Sequence, residues 1–220
     1  MEIEKIAQIL IYGIHAPLGG VALVAGGVAL IAEKGKKVHK KSGVLFYYSM
    51  LISAIAAFII AVMPNHISPF LFSVGIFSSY FLLGGYRSLR FKNPNDTNLK
   101  IDKIIASVML VTGVIMIAYP IVLNKEINIV LLVFGLAGIG FGFRDLHLFR
   151  DKKKLKAKWL KLHIGKMTGG YIASVSAFFV VNQILPNLWN WFVPGIIGSG
   201  YITYWMVKLN KKKKPEANRV

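Results

Sequence analysis

Basic residues and apolar runs alternate along this chain of 220 residues, and the alternation restricts the fold more than any motif does. Of the 27 lysines and arginines, 25 fall into four connecting segments, and only Lys5 and Lys125 lie elsewhere. Short loops rich in Lys and Arg stay on the cytoplasmic side of polytopic membrane proteins. The chain is therefore predicted to cross a membrane several times. The four basic segments are 34–41, 87–103, 144–166 and 208–219.

Seven apolar runs separate the connecting segments, each close to the roughly 20 residues that cross a bilayer. The sequence thus predicts an all-α protein with seven transmembrane helices, its N-terminus outside and its C-terminus inside. Residues 1–208 form the predicted bundle, and 209–220 form a basic cytoplasmic tail. The stretch Arg150–Lys161 is expected to lie along the inner headgroups as an amphipathic turn or two. The predicted spans are Ile6–Ala32, Gly43–Met63, Pro69–Leu89, Ile104–Val122, Ile127–Phe143, Leu160–Val181 and Asn190–Val207.

The composition supports a membrane protein and narrows its partners. Apolar residues make up 55% of the chain and charged residues 16%, whereas a soluble domain carries about 25% charged residues. The net charge of +18 favours an anionic inner leaflet as partner over nucleic acid. The chain has no cysteine, which removes disulfides, thiolate metal sites and cysteine nucleophiles.

Several chemistries are disfavoured by what the predicted spans lack. No carboxylate falls inside them, and Asp145 is the acidic residue closest to a span. Because proton- and sodium-driven carriers usually need an intramembrane acid, this counts against such a carrier. The glycine runs lack a P-loop ending, and neither HExxH nor a nucleophile elbow occurs. The seventh predicted span has no interior lysine for a retinal Schiff base.

His15 is the one histidine well inside a predicted span, and Pro17 follows it. Proline has no N–H, so it frees the Gly13 carbonyl and is expected to kink the helix. A polar side chain at this depth indicates function by default. The alternative is a histidine that hydrogen-bonds Gly13 or a neighbouring hydroxyl and does nothing else.

His39 and His163 form a second pattern, because both are predicted at or just before the first turn of a span that runs outward. A helix N-terminus keeps an imidazole neutral and able to bind a metal. With His147 and Asp145 they predict a transition-metal site on the inner side, and as a pair they predict ligands of a haem b iron. Interface histidines among lysines are the alternative. His15 lies roughly 18 Å away along the axis, so it would form a separate site.

Glycines recur at spacings that let helix backbones approach closely in lipid. They predict a compact bundle, and close approach to a flat cofactor is the alternative interpretation. The glycines are Gly13, Gly20 and Gly27 in the first span, Gly135, Gly138 and Gly142 in the fifth, and Gly165 and Gly169 in the sixth.

A set of short motifs spread along the chain carries a resemblance to known membrane proteins. Its residues are His15, Gly20, Lys34-Gly35-Lys36, His39 to Gly43, His163, Gly170-Tyr171, Ala177-Phe178, Asn182, Pro186, Trp191 and Pro194. With these residues the chain resembles, over nearly its whole length, a bacterial family of predicted membrane proteins of unknown function that is common in Bacteroidetes. The resemblance implies a multi-pass protein of the bacterial cytoplasmic membrane and brings no activity. More loosely, the chain is similar to the transmembrane ascorbate-dependent cytochromes b, which implies haem b held between histidine pairs.

Three functions are compatible with these patterns. The first is membrane electron transfer or a metal-dependent redox reaction at His39 and His163, with His15 as a separate outer site and a small-molecule or electron-transfer partner. The second is a channel or carrier for a small molecule or lipid, with the kinked first span lining the path. The third is an accessory subunit, or a homo-oligomer, whose glycine faces bind a partner.

Overall fold

The computed structural model describes residues 2–95 and 97–213, with the backbone alone at 69, 70, 124, 212 and 213. The described residues form seven long helices and no strand, so the all-α prediction is confirmed. Most of the predicted basic tail, residues 214–220, lies outside the described part. The helices are α1 (Glu2–Ile31), α2 (Lys37–Ile60), α3 (Pro69–Arg87), α4 (Lys100–Leu123), α5 (Ile129–Leu148), α6 (Lys152–Asn182) and α7 (Trp189–Lys213).

Five of the described helices, α1, α2, α4, α5 and α6, are long and apolar enough to cross a membrane. Their outward faces carry large exposed side chains such as Val24, Ile31 and Val181, whereas buried positions include serines, threonines and charged residues. So many exposed large apolar side chains match a bundle whose surroundings are lipid. The chain thus has the character of a multi-pass membrane protein.

Several helices extend beyond the limits that hydropathy predicts, and two of these extensions bear on the site. α5 continues to Leu148, past the predicted end at Phe143. α6 begins at Lys152, so most of Arg150–Lys161 forms the first turns of that helix and not a separate surface turn. Lysine is a good helix former although it is not apolar, so α6 extends beyond its apolar run.

The helices pack as two hairpins around a central pair. α1 packs against α2, α4 packs against α5, and α3 and α6 lie between the hairpins in contact with each other. α7 packs on α6 and reaches α1, where the Tyr201 hydroxyl donates to the Leu30 carbonyl at 3.0 Å.

Glycines allow these close contacts, as the compact-bundle interpretation predicts. A Cβ at Gly142 would lie 2.7 Å from the Ala106 carbonyl oxygen of α4. A Cβ at Gly26 would lie 2.4 Å from the Tyr171 ring of α6. Protein side chains and backbone therefore fill the space beside these two glycines, which leaves none for a flat cofactor there.

Candidate buried charge site

Three ionisable side chains from three helices meet inside the bundle. Asp145 of α5, Lys166 of α6 and Tyr80 of α3 are 0%, 5% and 2% exposed. The Lys166 ammonium donates to Asp145 Oδ2, and the Tyr80 hydroxyl donates to the same oxygen at 2.6 Å. Buried charges of this kind are expensive unless they are paired, so each partner depends on the other.

The position of Lys166 depends on two residues of α3 that lie one turn apart on the same face. Its Nζ lies 4.0 Å from the centroid of the Tyr80 ring, within cation–π distance. It also lies over Gly84, where a Cβ would come within 2.5 Å of Nζ. The missing side chain of Gly84 therefore provides the space that the ammonium group occupies.

Asp145 has one oxygen that the bundle does not satisfy. Its Oδ1 is buried and has no hydrogen-bond partner, and Arg144 Nη2 lies 3.7 Å from it. Most buried acceptors in folded proteins are bonded to protein or water, so an orphaned one needs an explanation. A carboxylate with one bonded and one free oxygen can accept a proton or a water molecule at the free oxygen.

A second buried ion pair lies further along α3. The Arg87 guanidinium donates through Nε to Asp102 Oδ1 at 2.8 Å and through Nη2 to Oδ2 at 2.7 Å. This two-pronged geometry is the strong form of an arginine–carboxylate pair. Arg87 continues the face of Tyr80 and Gly84, so α3 carries a polar stripe that runs toward the loop after it.

Toward the start of α3, the polar stripe ends at a cluster of aromatic side chains. Phe77 lies about one turn before Tyr80, and its ring packs on Phe81 at a centroid distance of 5.0 Å. Phe81 in turn packs on Phe141 of α5 at 5.3 Å. The apolar cluster closes the site toward the start of α3.

The buried acids contradict the expectation of spans without carboxylates, which was wrong. Asp145 lies inside α5 and Asp102 inside α4, and both are buried. The error came from ending the fifth span at Phe143, where hydropathy falls. A helical signal was present in the sequence, because Asp145 continues the face of Gly138 and Gly142, which packs against a neighbouring helix.

His15 bonds to α2. Its Nδ1 lies 3.0 Å from the Ser53 carbonyl oxygen, and the Ser53 hydroxyl donates to the His15 carbonyl at 2.9 Å. The helix carries a π-helical segment from Ile9 to His15, followed by an α-helical segment with Pro17 in its first turn. The predicted irregularity thus takes the form of a π-bulge, a feature that is frequent at functional sites.

His39 and His163 each bond to a backbone carbonyl through Nδ1. The acceptor of His39 is Ala29 at 3.0 Å, and that of His163 is Gly85 at 2.9 Å. His39 lies in the first turn of α2 as predicted, but His163 lies eleven residues after the start of α6, so its predicted place at a helix N-terminus was wrong.

The four predicted metal ligands do not come together. His147 is exposed, and because it lies two residues after Asp145 on α5 it is on a different face. Asp145 already accepts hydrogen bonds from Lys166 and Tyr80. Within residues 2–95 and 97–213, no group of three or more His, Cys, Asp or Glu residues could hold a metal ion.

Comparison with protein-family models, with curated proteins and with solved structures finds no match for this chain. The fold and the site together define a class, a multi-pass helical membrane protein with ion pairs buried between its helices. Any function for that class has to be argued from the site itself.

Proposed function

We propose that all seven helices cross the membrane, with the N-terminus outside and the C-terminus in the cytoplasm. The five apolar helices include neighbours on both sides of α3 and on one side of α7. α3 has 19 residues and is about 28 Å long, close to the thickness of the hydrocarbon core. The alternation of basic loops with loops that are poor in charge supports the orientation. Location in a bacterial cytoplasmic membrane rests on the family resemblance.

We propose that the protein is a carrier that takes up and releases a proton at the buried pair of Asp145 and Lys166. The observation that carries the proposal is the buried, unbonded Oδ1 of a carboxylate whose other oxygen holds an ammonium and a phenol. Ionisable groups inside membrane bundles mark ion pathways and proton relays. The transported solute would be a small molecule, as in the second of the three functions above.

The proton step follows from the charges at the site. A proton that adds to Oδ1 makes the Asp145 carboxyl neutral and leaves the Lys166 ammonium without its counter-ion. An unpaired buried ammonium costs several kcal/mol, so Lys166 then moves toward another anion or toward water. Loss of the proton from Asp145 draws Lys166 back, so the pair alternates between two arrangements.

The test is proton flux through the purified full-length protein in liposomes that contain a pH-sensitive dye. An imposed pH gradient should collapse about tenfold faster with the protein than without it. Asp145→Asn should reduce the flux to the protein-free level, because the amide cannot take up the proton. Asp151→Asn makes the same chemical change at an exposed position and should leave the flux unchanged.

Loss of folding must be separated from loss of function. Lys166→Met alone leaves an unpaired buried carboxylate and should cost about 3–5 kcal/mol of stability. The double variant Asp145→Leu with Lys166→Met removes both charges and should recover most of that stability while remaining without flux. Wild-type flux in Asp145→Asn or in the double variant would refute the carrier proposal.

A second candidate is a haem b or transition-metal centre for electron transfer at His39 and His163, with His15 separate. It is favoured by one observation, that all three rings bond a carbonyl through Nδ1. This bond orients an imidazole and presents Nε2 as the ligating nitrogen in many metal sites. The test is an absorption spectrum and elemental analysis of protein extracted from membranes. A Soret band that His163→Ala abolishes would support it, and protein without a Soret band or transition metal would refute it.

A further inference from the structure

A cavity of about 390 Å³ lies where α3 ends and α4 begins, beside the buried Arg87 pair. It is at the basic end of the bundle, which we define as the end that carries loops 32–36, 88–99 and 149–151. The cavity belongs neither to the Asp145 site nor to the histidines. Its lining residues are Arg87, Arg90, Asn93, Thr97, Asn98 and Ile101.

Two lining side chains, Asn98 and Arg90, present hydrogen-bond donors to the cavity, whereas the Thr97 hydroxyl donates within the loop. The Asn98 side-chain oxygen accepts from the Lys100 N–H at 2.9 Å, which leaves its NH₂ group for another partner. The Thr97 hydroxyl donates to the carbonyls of Arg90 and Asn93, at 3.1 and 3.0 Å, and so ties the loop together. The Arg90 side chain is exposed at the cavity and carries five N–H donors.

One acidic group beside the cavity is turned away from it. Asp102 is buried, and both of its oxygens accept from Arg87. Arg87 is also held by the Asn98 carbonyl at 3.3 Å, so its guanidinium has a fixed position in the wall. The described part of the wall carries the exposed guanidinium of Arg90, which suits an anion.

A second cavity strengthens the positive field. It measures about 250 Å³, shares Asn93 with the first, and is lined by Lys152, Lys153 and Lys156 at the start of α6. The two cavities lie on either side of the turn at residues 93–95. Cations in adjacent concave surfaces raise the local concentration of anions.

We propose that the larger cavity binds a phosphate group, with Arg90 and the Asn98 amide as donors. A guanidinium fork matches the oxygens of a phosphate, and a neutral amide adds a donor without adding charge. The phosphate could belong to an anionic lipid headgroup at the membrane surface or to a soluble phosphate. Either source uses the same contacts, and the inference holds whether or not the protein carries protons.

The test is binding to purified full-length protein in a neutral detergent. Two probes are titrated separately, inorganic phosphate and the soluble lipid dihexanoyl phosphatidylglycerol, and the dissociation constant is measured by calorimetry. We expect saturable binding of at least one probe. Arg90→Gln should weaken it about tenfold, since hydrogen bonds to charged groups are the stronger ones. Arg150→Gln removes the same charge from an exposed position outside the cavity and should leave the constant unchanged.

A second variant separates loss of binding from loss of folding. Asn98→Asp keeps an oxygen that accepts from the Lys100 N–H, so the start of α4 is preserved, but it places a negative charge in the wall. It should abolish binding while the unfolding temperature stays within a few degrees of wild type. Binding of the lipid probe alone identifies a headgroup, and binding of inorganic phosphate identifies a soluble ligand. No saturable binding of either probe, or equal binding in Arg90→Gln and Arg150→Gln, would overturn the proposal.

Discussion

Single residues decide whether the buried charges can meet. Gly84 leaves room for the Lys166 ammonium, and the Tyr80 hydroxyl shares the Asp145 oxygen with it. Each role depends on a neighbour far away in sequence. The same is true of His15, for which the sequence predicts a polar partner but not that Ser53, 38 residues away, supplies it.

Gly84→Ala tests the steric role of that glycine. The added Cβ would lie 2.5 Å from Lys166 Nζ and 3.0 Å from its Cδ, so Lys166 must leave Asp145 or α3 must move. We expect a loss of about 1–3 kcal/mol in the free energy of unfolding, typical of overpacking. Chemical unfolding in detergent measures it. The control is Gly20→Ala, where no atom lies within 4 Å of the added carbon, and an equal loss there would contradict the prediction.

At the scale of elements, hydropathy locates the helices but predicts some of them too short. Lysines extend α6 on the basic side and Asp145 lies within α5, because a helix continues as long as its backbone bonds and one face are satisfied. Glycine spacing is reliable in α5, where Gly135, Gly138 and Gly142 all pack against α4, but not at Gly20 or Gly165, where an added Cβ would meet no atom within 4 Å. In the α4–α5 hairpin, the Gly113 and Gly135 backbones are in close contact.

Gly142 and Gly140 form a matched pair in α5. A Cβ at Gly142 would lie 2.7 Å from the Ala106 carbonyl oxygen and 3.0 Å from the Leu110 N, and neither backbone atom can yield without separating the helices. A Cβ at Gly140 meets nothing within 4 Å. We expect Gly142→Ala to destabilise the protein by about 1–3 kcal/mol and Gly140→Ala by less than about 0.5 kcal/mol. Thermal unfolding in one detergent compares them, and equal effects would refute this account of the hairpin.

Asp151 caps the start of α6 and makes this end of the helix sensitive to pH. Its carboxylate accepts from the Lys154 N–H at 2.9 Å, and this bond lowers the pKa of the Asp151 carboxyl. Because the pKa is lower in the folded state, the cap contributes fully above the ordinary value of about 3.9 and is lost as the pH falls through the lower value. The Lys154 amide signal in NMR should therefore titrate with a midpoint below about 3.9.

Asp151→Asn is the control for this titration. Asparagine is also a good N-cap, so the helix should still begin at Lys152, but the Lys154 amide should no longer titrate in the acid range. A wild-type midpoint at or above the ordinary carboxyl value would contradict the assigned bond.

At the scale of the whole molecule, the basic segments lie at one end of the bundle, and the loops that are poor in charge lie at the other. His66, in the loop between α2 and α3, has its Nε2 3.4 Å from Glu4 near the start of α1, so these two segments share the end opposite the basic loops. This arrangement agrees with helices that alternate in direction, as short connections require.

The natural absence of cysteine makes the topology testable with single-cysteine variants. Lys36→Cys lies in a loop of the basic end, and Ile67→Cys lies in an exposed position of the opposite end. A membrane-impermeant maleimide should label Ile67→Cys in intact cells and Lys36→Cys only after the membrane is opened. Labelling of both variants in intact cells would refute the proposed orientation.

Sequence alone determined the helical class, the approximate position of each helix, the basic end and the glycine faces. These properties are local or periodic along the chain, so composition and spacing reveal them. Tertiary structure alone decided the partners: Tyr80 meets Asp145 across 65 residues, and Lys166 meets it across 21. The four predicted metal ligands lie apart for the same reason. Whether a side chain reaches a site depends on the rotation of its helix about the helix axis. Packing between helices sets that rotation, and no local property of a single helix records it.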